Sequence, residues 1–250
     1  MDEKALARLR DTHTPEAIEA RLGDRMKQNY VGDAVLGAID GCITTFSVVA
    51  GAVGAGFGPV VVIILGSANL IADGFSMAVS NYQNARSREE LIEKARSEEA
   101  EQIDAVPEGE REEVRQIFRA KGFSGDTLEQ IVVTITADRK RWIDTMLVEE
   151  YGLPLEAPNA LTASLVTFAA FIAVGSVPLL PFIVSIIAFD NAPLFATVLT
   201  FITFALIGVA KGHALKRPLL RSGLQTLLTG GAAAALAYAV GYGLRQAFGI

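Results

Sequence analysis

The sequence predicts an all-α membrane protein with five transmembrane helices and a cytoplasmic, acidic insert of three helices between the second and the third. Three observations predict it. Apolar residues make up 51% of the 250-residue chain and fall in long blocks with few charges. The basic residues of the short loops lie mainly in one loop. Acidic residues concentrate in residues 86–157, which hold 18 Asp and Glu against 11 Lys and Arg.

Residues 1–30 are expected to form a cytoplasmic N-terminal arm with one short helix at the membrane surface. Thr14 is a suitable N-cap, and Pro15 suits the first helical position. An apolar stripe follows at intervals of four residues: Ile18, Leu22 and Met26. Such a stripe is typical of an interfacial helix, and a solvated tail is the alternative.

Five apolar blocks are each close to the roughly 20 residues with which a helix crosses the hydrocarbon core. They lie at about 31–57, 60–82, 160–182, 193–211 and 224–244. Two prolines, Pro178 and Pro181, are expected to kink or break the third span, so that it ends late, near Ile187. These blocks define two membrane regions, residues 31–85 and 159–250, on either side of the insert 86–158.

The charged loops predict the orientation of the chain in the membrane. The loop between the fourth and fifth spans carries four basic residues: Lys211, Lys216, Arg217 and Arg221. The positive-inside rule assigns this loop to the cytoplasm. Because successive spans alternate in direction, the N-terminus and the insert are then also cytoplasmic, and the C-terminus is outside.

The insert has the composition of a charged, helical segment. Its net charge is −7 within a chain whose total is −6. The stretches "SREELIEKARSEEAEQI" and "EGEREEVRQIFRAKG" contain no interior breaker, and Gly122 is a suitable C-cap of the second. A third helix is expected from Asp126, as N-cap, to Gly152, with a break near "TADRK".

Some of the acidic residues of the insert are placed as metal ligands would be. Glu110 and Glu113 are three residues apart, and Met146 and Glu150 are four apart, so each pair shares one helix face. Carboxylates bind divalent cations, and a thioether shifts the preference toward softer ions such as Fe²⁺. A solubilising surface is the alternative for most of the other acidic residues.

A polar stripe runs along the second span. It consists of residues at intervals of four: Asn69, Asp73, Met77 and Asn81. A second carboxylate, Asp40, lies inside the first span. A charge deep in the bilayer costs at least about 2.5–3.5 kcal/mol on insertion scales, so intramembrane carboxylates are functional-site candidates. For the two asparagines, hydrogen bonding between helices is the alternative.

Glycines of the first span indicate close helix packing beside Asp40. The four glycines concerned are Gly37, Gly41, Gly51 and Gly54. Small residues at such spacings let a second helix approach the backbone.

Four stretches together resemble the vacuolar iron transporter family, including its bacterial members. They are "DAVLGAIDGCITTFSVVAGAVGAG", "ADGFSMAVSNY", "AVPEGEREEV" and "RKRWIDTMLVEEYGL", and the similarity extends over residues 30–244. The resemblance implies five membrane helices, a cytoplasmic metal-binding helical domain, and a homodimer with the translocation path at its interface. It further implies export of Fe²⁺, often with Mn²⁺ and similar ions, from the cytoplasm in exchange for protons.

The resemblance also implies which residues line the path. The path carboxylate of the first span corresponds to Asp40, and the path methionine of the second span to Met77. A glutamate that plant members carry eight residues before this methionine is Asn69 here. Asp73, one turn later, is a candidate replacement.

In the insert, the resemblance assigns a set of metal ligands. The matching positions are Glu99, Glu110, Glu113, Met146 and Glu150. One further glutamate expected by the family pattern is Gln102 here, with Glu98 and Glu101 beside it. A second methionine of some members is Leu147.

The sequence therefore favours a proton-coupled exporter of Fe²⁺ in a bacterial inner membrane, with Mn²⁺, Zn²⁺ and Co²⁺ as further candidate ions. Its expected partners are metal ions, protons, the lipid bilayer and a second copy of the chain, and no nucleic acid. A membrane-anchored metal-binding or sensing protein is the alternative, although a plain anchor does not need Asp40, Asp73 and Met77. An enzyme with a di-iron centre is disfavoured, because the Glu-x-x-His motif is missing and the only histidines are His13 and His213.

Overall fold

The computed structural model describes residues 6, 9–24, 29–185, 191–214 and 218–249, and no strand occurs among them. The longer helices, in chain order, are α1 (Pro15–Asp24), α2 (Val31–Gly54), α3 (Pro59–Ala105), α4 (Pro107–Ala120), α5 (Gly125–Thr136), α6 (Arg139–Glu149), α7 (Ala160–Gly175), α8 (Leu180–Ser185), α9 (Ala192–Ala214) and α10 (Leu219–Phe248). Met26, Ile187, Lys216 and Arg217, which enter the predictions above, lie outside the described residues.

The chain divides into two compact units. The membrane unit comprises Met1–Ala78 and Thr162–Ile250, and the insert unit comprises Val79–Leu161. Helix α3 contributes residues to both units.

The five predicted membrane spans are confirmed as helices of sufficient length and apolar composition. The candidate spans are Val31–Gly54, Pro59–Ala105, Ala160–Ser185, Ala192–Gly212 and Leu220–Phe248. The second span was predicted to end near residue 82. Its helix instead continues to Ala105, without interruption over 47 residues. The hydropathy falls where the charged residues begin, but no helix breaker occurs before Pro107.

The third span is broken where the prolines predict it. Helix α7 ends at Gly175, a 3-10 turn follows at Val177–Leu179, and α8 begins at Leu180. Proline has no backbone N–H to donate and its ring clashes with the preceding turn, so the regular helix cannot continue through Pro178.

Helix α2 is held by its neighbours through its glycines. A Cβ atom at Gly41 would lie 2.5 Å from the carbonyl oxygen of Phe171 in α7, and one at Gly37 would clash with the carbonyl oxygen of Thr167. Near the other end of α2, a Cβ at Gly54 would lie 2.5 Å from the carbonyl oxygen of Tyr238 in α10. The predicted close approach beside Asp40 is thus confirmed, with α7 as the partner helix.

Two groups of buried apolar side chains form the interior of the membrane unit. The first contains Val49, Ala52, Val62, Leu70, Phe171, Leu179, Phe182, Ala192 and Ala196. The second contains Ala38, Cys42, Phe46, Phe204, Ile207 and Ala234. Both groups draw on α2 and α9, which pack against each other.

The insert was predicted to consist of three helices, and the structure differs from this prediction in detail. Its first helical stretch is the end of α3, and the predicted third helix is two helices, α5 and α6, separated near "TADRK" as expected. The prediction that Asp126 is an N-cap is wrong: Ser124 precedes the first residue of α5. Helix α6 has its own cap, because the Asp138 side chain accepts a hydrogen bond of 2.7 Å from the Arg141 backbone N–H.

The end of α4 follows the prediction. The helix ends at Ala120, and Gly122 has a φ of 97°, a left-handed conformation that glycine adopts at low cost after a helix. The core of this unit contains Ile92, Ile103, Val114, Val132, Ile135, Trp142, Ile143, Met146 and Leu147.

The N-terminal arm contains the predicted helix, α1. Thr14 Oγ1 accepts a hydrogen bond of 3.3 Å from the Ala17 backbone N–H, which confirms its capping role. Of the predicted apolar stripe, the side chain of Ile18 is described, and it is half-buried.

Candidate functional sites

The membrane unit brings two carboxylates together. Asp40 of α2 and Asp73 of α3 lie close enough to interact electrostatically, and both are half-buried. Asn69 Nδ2 donates a hydrogen bond of 3.4 Å to Asp73 Oδ2, one turn along the same helix. Met77, the next residue of the stripe, packs against the apolar core. We call Asp40, Asn69, Asp73 and Met77 the membrane cluster.

The helix packing around Asp40 explains its position. Its neighbour Gly41 faces the backbone of α7, so α2 lies against that helix and Asp40 is carried on an adjacent face, toward α3. Two carboxylates at membrane depth repel each other when both are ionised. A proton or a divalent cation relieves that repulsion, so the membrane cluster has the chemistry for exchanging one for the other.

The insert unit buries two carboxylates. Glu99, on α3, is fully buried, and Glu110, on α4, is 3% exposed. Both carboxylate oxygens of Glu99 and the Oε2 atom of Glu110 lack a hydrogen-bond donor. Such groups are costly to bury as ions, and a proton shared between the two carboxyls, or a cation, satisfies them.

The pKa shifts show that four carboxyl groups of the insert form one cluster. Burial raises the pKa of Glu99 to about 8, with further increases from Glu110, Glu150 and Glu113. Burial and the charge of Glu113 raise the pKa of Glu110. Burial, Glu113 and Glu110 raise the pKa of Glu150. We call these four residues the insert cluster: Glu99, Glu110, Glu113 and Glu150.

The insert cluster differs from several other acidic residues of the same unit in lacking basic partners. Arg115 pairs with Glu129 at 2.7 Å, and Arg96 pairs with Asp144 at 2.7 Å. Further ion pairs join Lys121 to Glu149 and Arg139 to Asp104. Within the described residues, no Lys or Arg nitrogen lies within 4.0 Å of a carboxylate of the insert cluster. The solubilising interpretation therefore suits the paired acids and not these four.

The remaining predicted ligands lie in different surroundings. Met146 is fully buried, whereas Glu113 and Glu150 lie at the exposed edge of the insert cluster. Glu101 and Gln102 are both exposed. Leu147, at the position of the second methionine, is fully buried in the core. In the part of the chain that the structure describes, no three His, Cys, Asp or Glu side chains converge tightly enough to hold a metal ion.

Two aromatic residues of the insert unit, Trp142 and Tyr151, were not predicted as part of a site. Trp142 is buried with its Nε1–H unpartnered, and the Arg111 guanidinium lies 5.7 Å from the centre of its ring. Burial and the charge of Glu150 raise the pKa of Tyr151. The interval of four residues from Trp142 to Met146 and on to Glu150 was the sequence pattern that could have identified the tryptophan.

Comparison with known proteins extends over most of the chain. Residues 31–242 match the VIT family. A vacuolar iron transporter of Toxoplasma gondii is 31% identical over 247 residues, which cover 93% of this chain and 82% of that protein. Vacuolar iron transporter 1 of Arabidopsis thaliana is 32% identical over 209 residues, which cover 83% of each protein. Vacuolar iron transporter 2 of Oryza sativa subsp. japonica is 30% identical over 98% of this chain and 96% of its own length. With its five candidate spans, this chain belongs to the VIT family, the family of the vacuolar iron transporters.

Proposed function

We propose that this protein exports Fe²⁺ from the cytoplasm across a membrane in exchange for protons. The family is one of transporters and not of enzymes, and the matched relatives are named vacuolar iron transporters. The observation that carries the proposal is the pair of half-buried carboxylates, Asp40 and Asp73, that interact within the membrane unit.

The coupling follows from the charge of the membrane cluster. A poorly solvated carboxylate pair is stable when it holds a proton or a cation and unstable when it holds neither. Binding of Fe²⁺ therefore displaces a proton, and protonation from the other side releases the ion. The Met77 thioether favours softer ions, and Asn69 orients Asp73 through its hydrogen bond.

The insert cluster would collect ions before transport. Glu99 and Glu110 are buried without a Lys or Arg partner among the described residues, and the Met146 sulfur lies in the same unit. Because the four carboxyls are not drawn together tightly, an arriving ion would close the site by attracting them. Glu101 and Gln102 are exposed, so they would contact an arriving ion at the protein surface before it reaches the insert cluster. Mn²⁺, Zn²⁺ and Co²⁺ suit the same mixture of oxygen and sulfur ligands.

A homodimer is part of the proposal, with the path between its two copies. Three small residues lie at intervals of four along the span of α3, at Ala68, Ala72 and Ser76, and all three are exposed. Each directly precedes a residue of the membrane cluster. Small residues at this spacing permit close helix association in membranes, so a second copy seated here would enclose the membrane cluster.

The organisation of the chain in its membrane completes the proposal. Residues 1–30 form a cytoplasmic arm, residues 31–85 and 159–250 form the membrane domain, and residues 86–158 form the metal-binding domain in the cytoplasm. The basic loop before α10 supports this orientation, with the C-terminus outside. We assign the protein to a bacterial inner membrane.

Ion flux into proteoliposomes tests the proposal directly. We expect Fe²⁺ transport that depends on an imposed pH gradient, measured in parallel with Mn²⁺, Zn²⁺ and Co²⁺. Asp40→Asn removes one path charge and little volume, so it should abolish flux while leaving expression and dimer formation intact. Normal pH-driven flux in this variant would exclude Asp40 from the path. Metal binding without flux in the wild-type protein would favour the alternative, a membrane-anchored metal-binding protein.

A further inference from the structure

One phenylalanine of α7 contacts both helices that carry the carboxylates of the membrane cluster. On α2, Gly41 directly follows Asp40, and a Cβ atom there would lie 3.0 Å from the ring atom Cγ of Phe171. On α3, Gly74 directly follows Asp73, and a Cβ atom there would lie 3.1 Å from Cδ1 of the same ring. Cγ and Cδ1 are bonded to each other, so one edge of the Phe171 ring touches α2 and α3 beside the two carboxylates.

The next turn of α7 repeats this double contact. A Cβ atom at Gly175 would lie 2.6 Å from Cδ1 of Leu70 in α3 and 2.8 Å from the carbonyl oxygen of Gly41 in α2. The regular helix α7 ends at Gly175. Its last turn, from Phe171 to Gly175, therefore packs against both α2 and α3.

The contact is made by a ring that has no room to move. Phe171 is fully buried and belongs to the first apolar core group, and a side chain in a close-packed interior cannot shift without opening a void. Because glycine has no side chain, the backbones beside Asp40 and Asp73 lie directly against the ring. The hydrogen bond from Asn69 to Asp73 lies within α3, so it orients Asp73 but does not fix α3 relative to α2.

We propose that Phe171 is a positioning residue of the transport path, whose ring sets the separation of Asp40 and Asp73. This inference rests on the proposed function, in which the two carboxylates hold the ion. Ligands must be held in their productive geometry by side chains that are themselves locked by packing. Phe171 does not bind the ion and acts through the two helix backbones.

Two substitutions at Phe171 separate the ring contact from the mere presence of an apolar side chain. Phe171→Ala deletes both contacting atoms, whereas Phe171→Leu keeps a Cγ and Cδ carbons. In proteoliposomes, Phe171→Ala should raise the KM for Fe²⁺ by about 10-fold, the lower end of the losses seen when a residue that supports metal ligands is changed. The rise in KM should exceed any fall in the maximal rate, and Phe171→Leu should stay close to the wild type.

Phe204→Ala is the matched control. Phe204 of α9 is also fully buried in the membrane unit, and its ring packs against Gly230 of α10. Neither helix carries a residue of the membrane cluster. Phe204→Ala should lower the Tm about as much as Phe171→Ala does, because both leave a cavity of the same origin, but it should leave the KM unchanged. An equal rise in KM in both variants would mean general loosening of the fold and would overturn the proposal.

Gly74→Ala tests the same contact from the α3 side, and it keeps the proposal testable if Phe171→Ala does not fold. The added methyl group would meet side chains of α7 only among its three nearest atoms, at Phe171, Ile172 and Phe168. It should push α3 away from the ring and raise the KM for Fe²⁺. Gly243→Ala on α10, where nothing lies within 4 Å of a Cβ, is the control. A wild-type KM in Gly74→Ala would contradict the proposal.

Cross-linking measures the separation without transport. Cys42 is the only cysteine, so the background is Asp40→Cys and Asp73→Cys combined with Cys42→Ser in the solubilised full chain. A short bifunctional thiol reagent should join the two introduced cysteines faster when Phe171→Ala is added, because the backbones can then approach, and Phe171→Leu should leave the rate unchanged. An unchanged rate in Phe171→Ala would reject the positioning role. A changed rate in a protein whose wild type transports no ion would reject the proposed function and keep the positioning role.

Discussion

At the scale of single residues, the insert shows how packing separates otherwise equal carboxylates. Glu99 and Glu129 are both glutamates of the insert unit. Glu129 is exposed and paired with Arg115, which lowers its pKa, whereas burial raises the pKa of Glu99 to about 8. Glu129 carries its charge in an ion pair, whereas Glu99 is a candidate site for a proton or a cation.

Glu99 makes the stability of the metal-free protein depend on pH. Its pKa is raised from 4.5 to about 8, so between these values the folded state holds a proton that the unfolded state releases. The contribution of Glu99 to the free energy of unfolding should therefore be greatest below about pH 4.5. It should fall as the pH rises toward 8, by at most about 1.4 kcal/mol per pH unit. Glu99→Gln, which stays neutral, should be more stable than the wild type at pH 8 and show a smaller slope between pH 6 and 8.

Denaturant unfolding with a chelator present measures this slope. Trp142 is the only tryptophan and lies in the core of the insert unit, so its fluorescence reports this part of the chain. Glu129→Gln is the matched control, because it removes an exposed, paired carboxyl and should leave the slope unchanged. If the free energy of unfolding of Glu99→Gln depends on pH between 6 and 8 as strongly as that of the wild type, Glu99 does not hold the proton.

Met77 tests the selection of soft against hard ions. Met77→Leu keeps the volume and deletes the sulfur, a change that usually costs less than about 1.5 kcal/mol of stability. Flux of Fe²⁺ should fall more than flux of Mn²⁺, because Mn²⁺ depends more on oxygen ligands. The measurement is the ratio of the two rates in proteoliposomes at equal protein loading, with Met26→Leu as the control. An unchanged ratio with full activity would make Met77 a packing residue.

At the scale of helices, glycine decides how closely α2 approaches α7. At Gly41 the atoms nearest to a Cβ would include the Phe171 carbonyl oxygen at 2.5 Å and its Cα at 3.0 Å, and backbone atoms cannot move aside as a side-chain tip can. The approach of these two helices is what holds Asp40 on the flank of the contact. Residue size at one position thus determines the geometry of the membrane cluster.

Gly41→Ala should therefore separate α2 from α7. We expect a loss of about 1–3 kcal/mol of stability from overpacking, although alanine favours a helix by up to about 1 kcal/mol over glycine. Gly32→Ala is the control on the same helix, because nothing lies within 4 Å of a Cβ there. Size-exclusion chromatography after heating compares the two variants. Equal melting temperatures would mean that the contact is not tight in solution.

At the scale of the whole molecule, the proposal assigns ion collection to the insert unit and translocation to the membrane unit. Replacing all four residues of the insert cluster by Gln should weaken equilibrium binding of Fe²⁺ or Mn²⁺ to the solubilised full chain, as measured by titration calorimetry. The matched control replaces four acids that are ion-paired in the same unit: Glu108, Glu112, Glu129 and Glu149. Both variants lose four carboxyl groups, so equal binding losses would show that the number of carboxyl groups, and not their position, determines metal binding.

Much of the fold could be predicted because hydropathy and helix breakers are local properties. The five apolar blocks, the break at Pro178 and the glycines of α2 were visible in the sequence. The continuity of α3 was missed, since a fall in hydropathy ends a membrane span without ending a helix. The N-cap at Ser124 was missed because Asp126 offered an equally good local alternative.

The sequence by itself determined the membrane class, the number of spans, the acidic insert and the list of candidate ligands. Only the tertiary structure decided which carboxylates differ from the rest: Asp40 lies close enough to Asp73 to interact electrostatically, and Glu99 and Glu110 are buried with carboxylate oxygens that lack a hydrogen-bond donor. The physical reason is that burial and pairing depend on residues far apart in the chain. Composition gives every glutamate the same charge, and packing determines which glutamates pair with an arginine and which are buried without a basic partner.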